Sequence, residues 1–149
     1  METGLVVKEI MLQASVDKVW RALTDKEQMS SWYFTIAEFM ALPGFEFKLY
    51  GEKKGVIFPI SCTVKEVEEN RKLSYTWSYD DYPAETLVIF ELKAVGDQTE
   101  LRLTHRGLQN IPQGGSDVSV RNHMDGWDFI IGSSLKQFVE FEAGLYPNF

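Results

Sequence analysis

The sequence holds one cysteine in 149 residues, Cys62, so no internal disulfide can form. A lone thiol suits a reducing compartment. Close ligand pairs such as C-x-x-C or H-E-x-x-H are missing, and with two histidines in all no metal site is expected. There is no basic excess either: 15 Lys and Arg face 22 Asp and Glu, for a net charge of −7. Such a chain repels phosphates, which argues against nucleic-acid roles that depend on backbone neutralisation. No run approaches the roughly 18 apolar residues that a membrane helix needs. The N-terminus (METGLVVKEI) lacks the basic start and apolar stretch of a secretory signal. Internal repeats, low-complexity tracts and linker-like stretches are also wanting. We therefore expect one soluble, cytoplasmic domain over residues 1–149, with no cofactor and no membrane contact.

What the chain does have is a clear change of period along its length. Residues 5–13 (LVVKEIMLQ) are rich in β-formers and read as a first strand. Ser15 is placed to cap a helix, and Val16, Val19, Trp20 and Leu23 follow the i, i+3, i+4, i+7 pattern of one buried stripe. A second short helix is expected over 26–31, running into the aromatic cluster Trp32, Tyr33 and Phe34. From 36 to 106 the pattern is that of about six antiparallel strands. Turn signals part them at Pro43-Gly44, Gly51 to Gly55, Glu69-Asn70, 80–83 and Gly96-Asp97. Phe45, Phe47 and Leu49 share a face; so do Leu73, Tyr75, Trp77 and Tyr79, then Val88, Phe90 and Leu92, and then Leu101, Leu103 and His105. Pro59, inside a strand-like run, points to an edge or a bulge. Residues 117–143 are helical in period, with Met124, Trp127, Ile131, Ser134, Leu135, Phe138 and Phe141 on one stripe. A helix of that length measures about 40 Å, enough to cross a whole sheet. Gly126 and Gly132 each weaken it by about 1 kcal/mol relative to Ala, and fit a close approach by some neighbour.

The fold class is thus α+β. A curved antiparallel sheet wraps a long C-terminal helix in the order β-α-α-β6-α, because the sheet's apolar face needs a cover and no other element is large enough. Between a bent sheet and a straight rod an elongated apolar cavity is expected.

This order resembles the helix-grip, START-like (SRPBCC) superfamily. Within it, the chain is similar to the C-terminal domain of the ATPase activator of the ninety-kilodalton heat-shock chaperone. Residues 10–25 (IMLQASVDKVWRALTD) resemble the family's strand, small residue and Val-Trp helix with its Thr-Asp ending. The aromatics 32–34, the stretch 64–77 (VKEVEENRKLSYTW), 99–105 (TELRLTH) and 125–135 (DGWDFIIGSSL) match its later hairpin, last strand and Gly-Trp helix opening. The likeness implies the fold, and with it a heat-shock chaperone as partner or, as in aromatase/cyclase relatives, a polyketide-like substrate. Two features depart from the pattern. The activator's additional N-terminal domain is not expected here, and 109–116 has no counterpart in it.

Few residues carry chemistry. His105 ends an apolar row and faces inward, either to bond a ligand and exchange protons or to be satisfied inside the core. His123 and Trp127 lie four apart on one helix face, at a cavity mouth or in simple packing. Cys62 has no oriented base beside it and reads as a buried thiol. The carboxylates Glu66, Glu68, Glu69, Asp80 and Asp81 read as solvated turn tips, and Gly114-Gly115-Ser116 as a loop and cap, lacking the lysine of a phosphate loop. No catalytic set emerges. The leading expectation is a domain that binds a hydrophobic or aromatic small molecule between Trp32, Phe47, Tyr75, Trp77, Phe90, His105, His123, Trp127 and Ile131, as monomer or homodimer. A solid aromatic core would use the same residues, and the pattern does not separate the two.

Overall fold

The computed structural model describes residues 5–53, 55–79, 85–108 and 120–141. Strand β1 (Val6–Leu12) is followed by helices α1 (Val16–Thr24) and α2 (Lys26–Trp32) and a two-residue strand β2 (Thr35–Ile36). Five longer strands follow: β3 (Glu46–Lys53), β4 (Val56–Glu68), β5 (Lys72–Tyr79), β6 (Thr86–Val95) and β7 (Gln98–Arg106). They form one seven-stranded sheet in the order β1-β7-β6-β5-β4-β3-β2, antiparallel throughout. The C-terminal helix consists of α3 (Val120–Phe129), a π-helical stretch (Ile130–Leu135) and α4 (Lys136–Glu140). This is the expected helix-grip order. No helix among the described residues is long and apolar enough to cross a membrane.

Local chemistry explains several boundaries. The Ser15 hydroxyl accepts the Lys18 N–H at 3.3 Å and caps α1. Asn70 takes φ +64° in the β4–β5 turn, a left-handed conformation that asparagine tolerates better than most residues. The Trp32 indole N–H donates to the Ala22 carbonyl at 2.7 Å, tying α2 to α1.

Strand β4 is irregular three residues beyond its centre. Pairing with β5 slips between Val64 and Glu66, so Lys65 is an extra residue and the bulge lies there, not at Pro59. Pro59 pairs with Tyr50 of β3 and stands one residue past Ile60–Tyr79, the last described pair with β5. Two hydroxyls fill the gap that the bulge opens. Thr76 Oγ1 accepts the Thr63 N–H (2.9 Å) and Ser74 Oγ accepts the Glu66 N–H (3.1 Å). Both side chains are buried although they lie on the polar side of β5. A bulge of this kind bends its strand and sharpens the local twist.

Four expectations need correction. Gly51 belongs to β3 and not to a turn: it pairs with Phe58, whose ring occupies the space a Cβ would take. The long helix is not uniformly α. Among the residues whose burial is described, the buried ones are His123, Trp127, Ile131, Leu135 and Val139, a strict four-residue spacing, while Met124 and Phe141 of the expected stripe are exposed. In an α-helix each such step drifts about 40°, which over four steps would carry Val139 to the opposite side from His123. The wider π turn rotates less per residue and offsets much of the drift. Finally, nothing approaches Gly126 or Gly132 within 4 Å, so close packing is not their reason. The expected turn at 80–83 and the loop at 109–116 lie outside the described residues, as do 117–119 and 142–143 at the helix ends.

Candidate functional site

Trp127 of α3 sits over the sheet at the middle of the core, 2% exposed. Its ring lies 5.5 Å from that of Trp77 on β5, 6.0 Å from Phe90 on β6 and 6.0 Å from His105 on β7. Its indole N–H donates to His105 Nδ1 at 3.1 Å. Since indole is a donor only, Nδ1 carries the lone pair and the proton of neutral His105 resides on Nε2. That proton goes to Thr86 Oγ1 at 2.7 Å, and the Thr86 hydroxyl donates in turn to the Trp77 carbonyl at 2.8 Å. Every member of the chain is satisfied. Of the two readings of His105, the structure supports the core histidine.

Burial, with a smaller contribution from His123 nearby, holds the His105 pKa well below its ordinary 6.5. Its sign on stability is fixed. Below pH 6.5 the unfolded chain takes up a proton here that the folded chain refuses, so stability falls with acidity; above 6.5 both states are neutral and the dependence ends. The expected slope is at most about 1.4 kcal/mol per pH unit. Urea unfolding between pH 5 and 7 should show this slope, and His105→Gln should flatten it whatever its effect on absolute stability.

The interior between sheet and helix is largely filled, which corrects the expected elongated cavity. The residue that fills it is Tyr33, directly after α2. Its ring contacts Trp32 and Phe34 (both 4.7 Å), Trp127 (6.2 Å) and Phe90 (6.5 Å), and its hydroxyl meets that of Tyr75 at 2.7 Å. Burial raises both phenol pKa values, so the pair stays protonated. Of the nine expected ligand contacts, Trp32, Phe47, Tyr75, Phe90, His105 and Ile131 are buried in this core and do not line the helix–sheet opening.

What remains open is a short cleft of about 110 Å³ where α3 meets β4 and β5. Phe34, Phe58, Ile60, Trp77, Tyr79, His123, Gly126, Trp127 and Ile130 line it, so three expected residues, Trp77, His123 and Trp127, do meet at one place. Gly126 contributes by having no side chain to close the space. The Tyr79 hydroxyl and His123 Nε2 are 2.7 Å apart, and burial pushes the Tyr79 pKa up to about 12. The Trp77 indole N–H is buried and has no hydrogen-bond partner. It lies near enough to the Tyr79 oxygen to favour the phenolate slightly, but off hydrogen-bond geometry. Sequence reasoning missed Tyr79, although it stands in the same row as Trp77, and Phe34 and Phe58, which no periodic row marks as inward.

Elsewhere the chemistry is plain. Burial pushes the Cys62 thiol upward, so no thiolate nucleophile is present near neutral pH. Glu66 pairs with Lys72 (3.0 Å) and Glu68 with Arg71 (3.4 Å) at the surface. Asp80, Asp81, Gly114, Gly115 and Ser116 lie outside the described residues. Two roomier hollows, of about 340 and 470 Å³, are open grooves over the hydroxyls and charges of β3–β7, with no helix residue lining them among the described residues. We place the candidate site at the smaller cleft, because only there do aromatic walls from sheet and helix converge among the described residues.

The model of the "Activator of Hsp90 ATPase homolog 1-like protein" family matches residues 13–140. The chain belongs to this family. Its START-like fold recurs in solved structures. Protein CV1439 from Chromobacterium violaceum superposes with a TM-score of 0.82 at 19% identity, over 93% of this chain and 99% of that one. DynU16, from the dynemicin biosynthetic locus, gives 0.75 at 24% identity, over 95% of this chain and 48% of that one. The Aha1 dimer from Colwellia psychrerythraea gives 0.73 at 21% identity, over 94% and 98%. At these identities the likeness extends to the fold. A search of curated proteins returns no match. For an Aha1-like domain of this kind, the side chains at the cleft have to carry any further argument.

Proposed function

We propose that this Aha1-like domain binds a small, largely apolar molecule at the cleft between β4–β5 and α3. The observation that supports the reading is the lining itself: five aromatic rings, Phe34, Phe58, Trp77, Tyr79 and Trp127, converge there from strand, helix and the segment after α2. Trp77, His123 and Trp127 are its proposed contacts on opposite walls. An apolar cavity of about 150 Å³ binds benzene, so a cleft of about 110 Å³ takes at most a single ring, with part of it at the open mouth. Drug-sized or polyketide-like ligands need about 300–1,000 Å³. That difference, together with a His105 whose protons are committed, disfavours a cyclase-type enzyme.

Native mass spectrometry of the purified protein, with ¹H–¹⁵N spectra of its indole groups during titration with single-ring fragments, tests this. The expected result is a bound small molecule or saturable shifts of the Trp77 and Trp127 indole signals. An unmodified mass together with unmoved indoles at saturating fragment would overturn the reading.

A second reading, docking on a heat-shock chaperone, is favoured by the family description and by a surface feature. Val56 and Ile57 at the start of β4 are 65% and 66% exposed, beside the 40% exposed Tyr50. Stimulation of the chaperone's ATPase by this chain, lost in Ile57→Asp, would support it; no stimulation and no binding would remove it.

A further inference from the structure

We infer that the molecule held in this cleft is uncharged and carries a hydrogen-bond acceptor, which the indole N–H of Trp77 receives. The inference rests on the binding reading above and adds the chemical class. Trp77 is 3% exposed, lines the cleft, and has a donor with no partner among the described residues. Buried polar groups are nearly always paired, so an unpaired donor beside an opening marks where an incoming acceptor is missing.

The acceptors around it each have a partner already, and the nearest, the Tyr79 oxygen, stands off hydrogen-bond geometry from the indole. The Trp77 carbonyl takes the Thr86 hydroxyl, and His105 Nδ1 takes the Trp127 N–H. The Tyr79 hydroxyl is engaged with His123 Nε2. The site thus offers a surplus donor and demands an acceptor from the ligand. Charge sets the second condition. None of the nine lining residues is Asp, Glu, Lys or Arg. A carboxylate or an ammonium would be desolvated there with no counter-charge beyond what a protonated His123 offers the former, a far heavier penalty than for a neutral dipole. Size sets the third, since about 110 Å³ is less than the roughly 150 Å³ of a cavity that takes benzene and holds no more than one ring, part of which stays at the open mouth. Trp77 itself meets Phe34 edge-on at 5.8 Å and lies tilted against Trp127 at 5.5 Å, so the donor is framed by aromatic walls.

Two probes of nearly identical shape isolate the donor. Benzonitrile presents a nitrile nitrogen that accepts a hydrogen bond, whereas phenylacetylene places a C–H at the same point. Benzonitrile is expected to bind the wild-type protein at least tenfold more tightly, the equivalent of about 1.4 kcal/mol. It should also move the Trp77 indole signal and shift its own nitrile infrared band to that of a hydrogen-bonded nitrile. Benzoate should bind at least tenfold more weakly than benzonitrile. In Trp77→Phe the two neutral probes should become equal. Should that variant fail to fold, the infrared band and indole signal of the wild-type complex decide by themselves. Equal affinities for the two neutral probes, with the Trp77 signal and nitrile band unmoved, would overturn this inference while leaving the cleft a binding site; the N–H would then have settled on Tyr79. Benzoate binding as tightly as benzonitrile would overturn the uncharged class. Binding of none of the three would overturn both this inference and the reading beneath it.

Discussion

Replacing Trp127 with alanine is expected to lower the unfolding free energy by about 3–5 kcal/mol, the usual range for a large buried ring. Two effects combine. The ring that joins α3 to β5, β6 and β7 is lost, leaving a cavity against Trp77, Phe90 and Tyr33. His105 Nδ1 also loses its only hydrogen bond among the described residues, and an orphaned buried acceptor costs about 1–3 kcal/mol by itself. Trp127→Phe separates the two, since it keeps most of the packing and removes the N–H. Urea unfolding of both variants measures the split. Equal and small losses would show that the helix does not depend on this residue for its grip.

Tyr33→Ala is the second large effect, near 3 kcal/mol because the side chain is only partly buried. Here stability and binding should move in opposite directions. Removing the ring takes away the contacts with Trp32, Phe34, Phe90 and Trp127 and leaves the Tyr75 hydroxyl without its partner. The vacated space adjoins Phe34, a wall of the cleft. The variant should therefore accept two-ring compounds such as naphthalene that the wild type excludes. Titration followed by tryptophan fluorescence measures this. A variant that is destabilised but keeps the one-ring limit would mean that the core collapses around the missing ring.

The element order was legible because alternation and turn residues are local signals. Phe47 and Leu49, Leu73 to Tyr79, and Leu101 to His105 each announce an inward row, and Asn70 and Gly96 mark turns whose backbone few other residues adopt. What stayed hidden depends on residues distant in sequence. Nothing in the chain says that Tyr33 fills the interior. It follows α2 with an irregular backbone (φ −108°, ψ −115°), so no period points it inward. The state of His105 is set by Trp127 and Thr86, from two other elements. The apolar pattern suited a filled core and a hollow one equally, and the structure is mostly the former, with a small remainder of the latter. Ser74 and Thr76 look like solvent-facing residues because their burial follows from a bulge in the neighbouring strand. The helix register was readable in principle: His123, Trp127, Ile131, Leu135 and Val139 keep a spacing of four, too long for a uniform α-helix to hold on one face.

That spacing links the length of the C-terminal helix to its π turn. Deleting a single codon between Ile130 and Leu135 would let the π turn close as ordinary α-helix, which on local grounds is an improvement. The roughly 100° of rotation that the lost residue removes would be given back as the wider turn tightens, so Leu135 and Val139 would stay near the face they now bury. A deletion in the α-helical parts on either side has no such compensation and would rotate everything beyond it by about 100°.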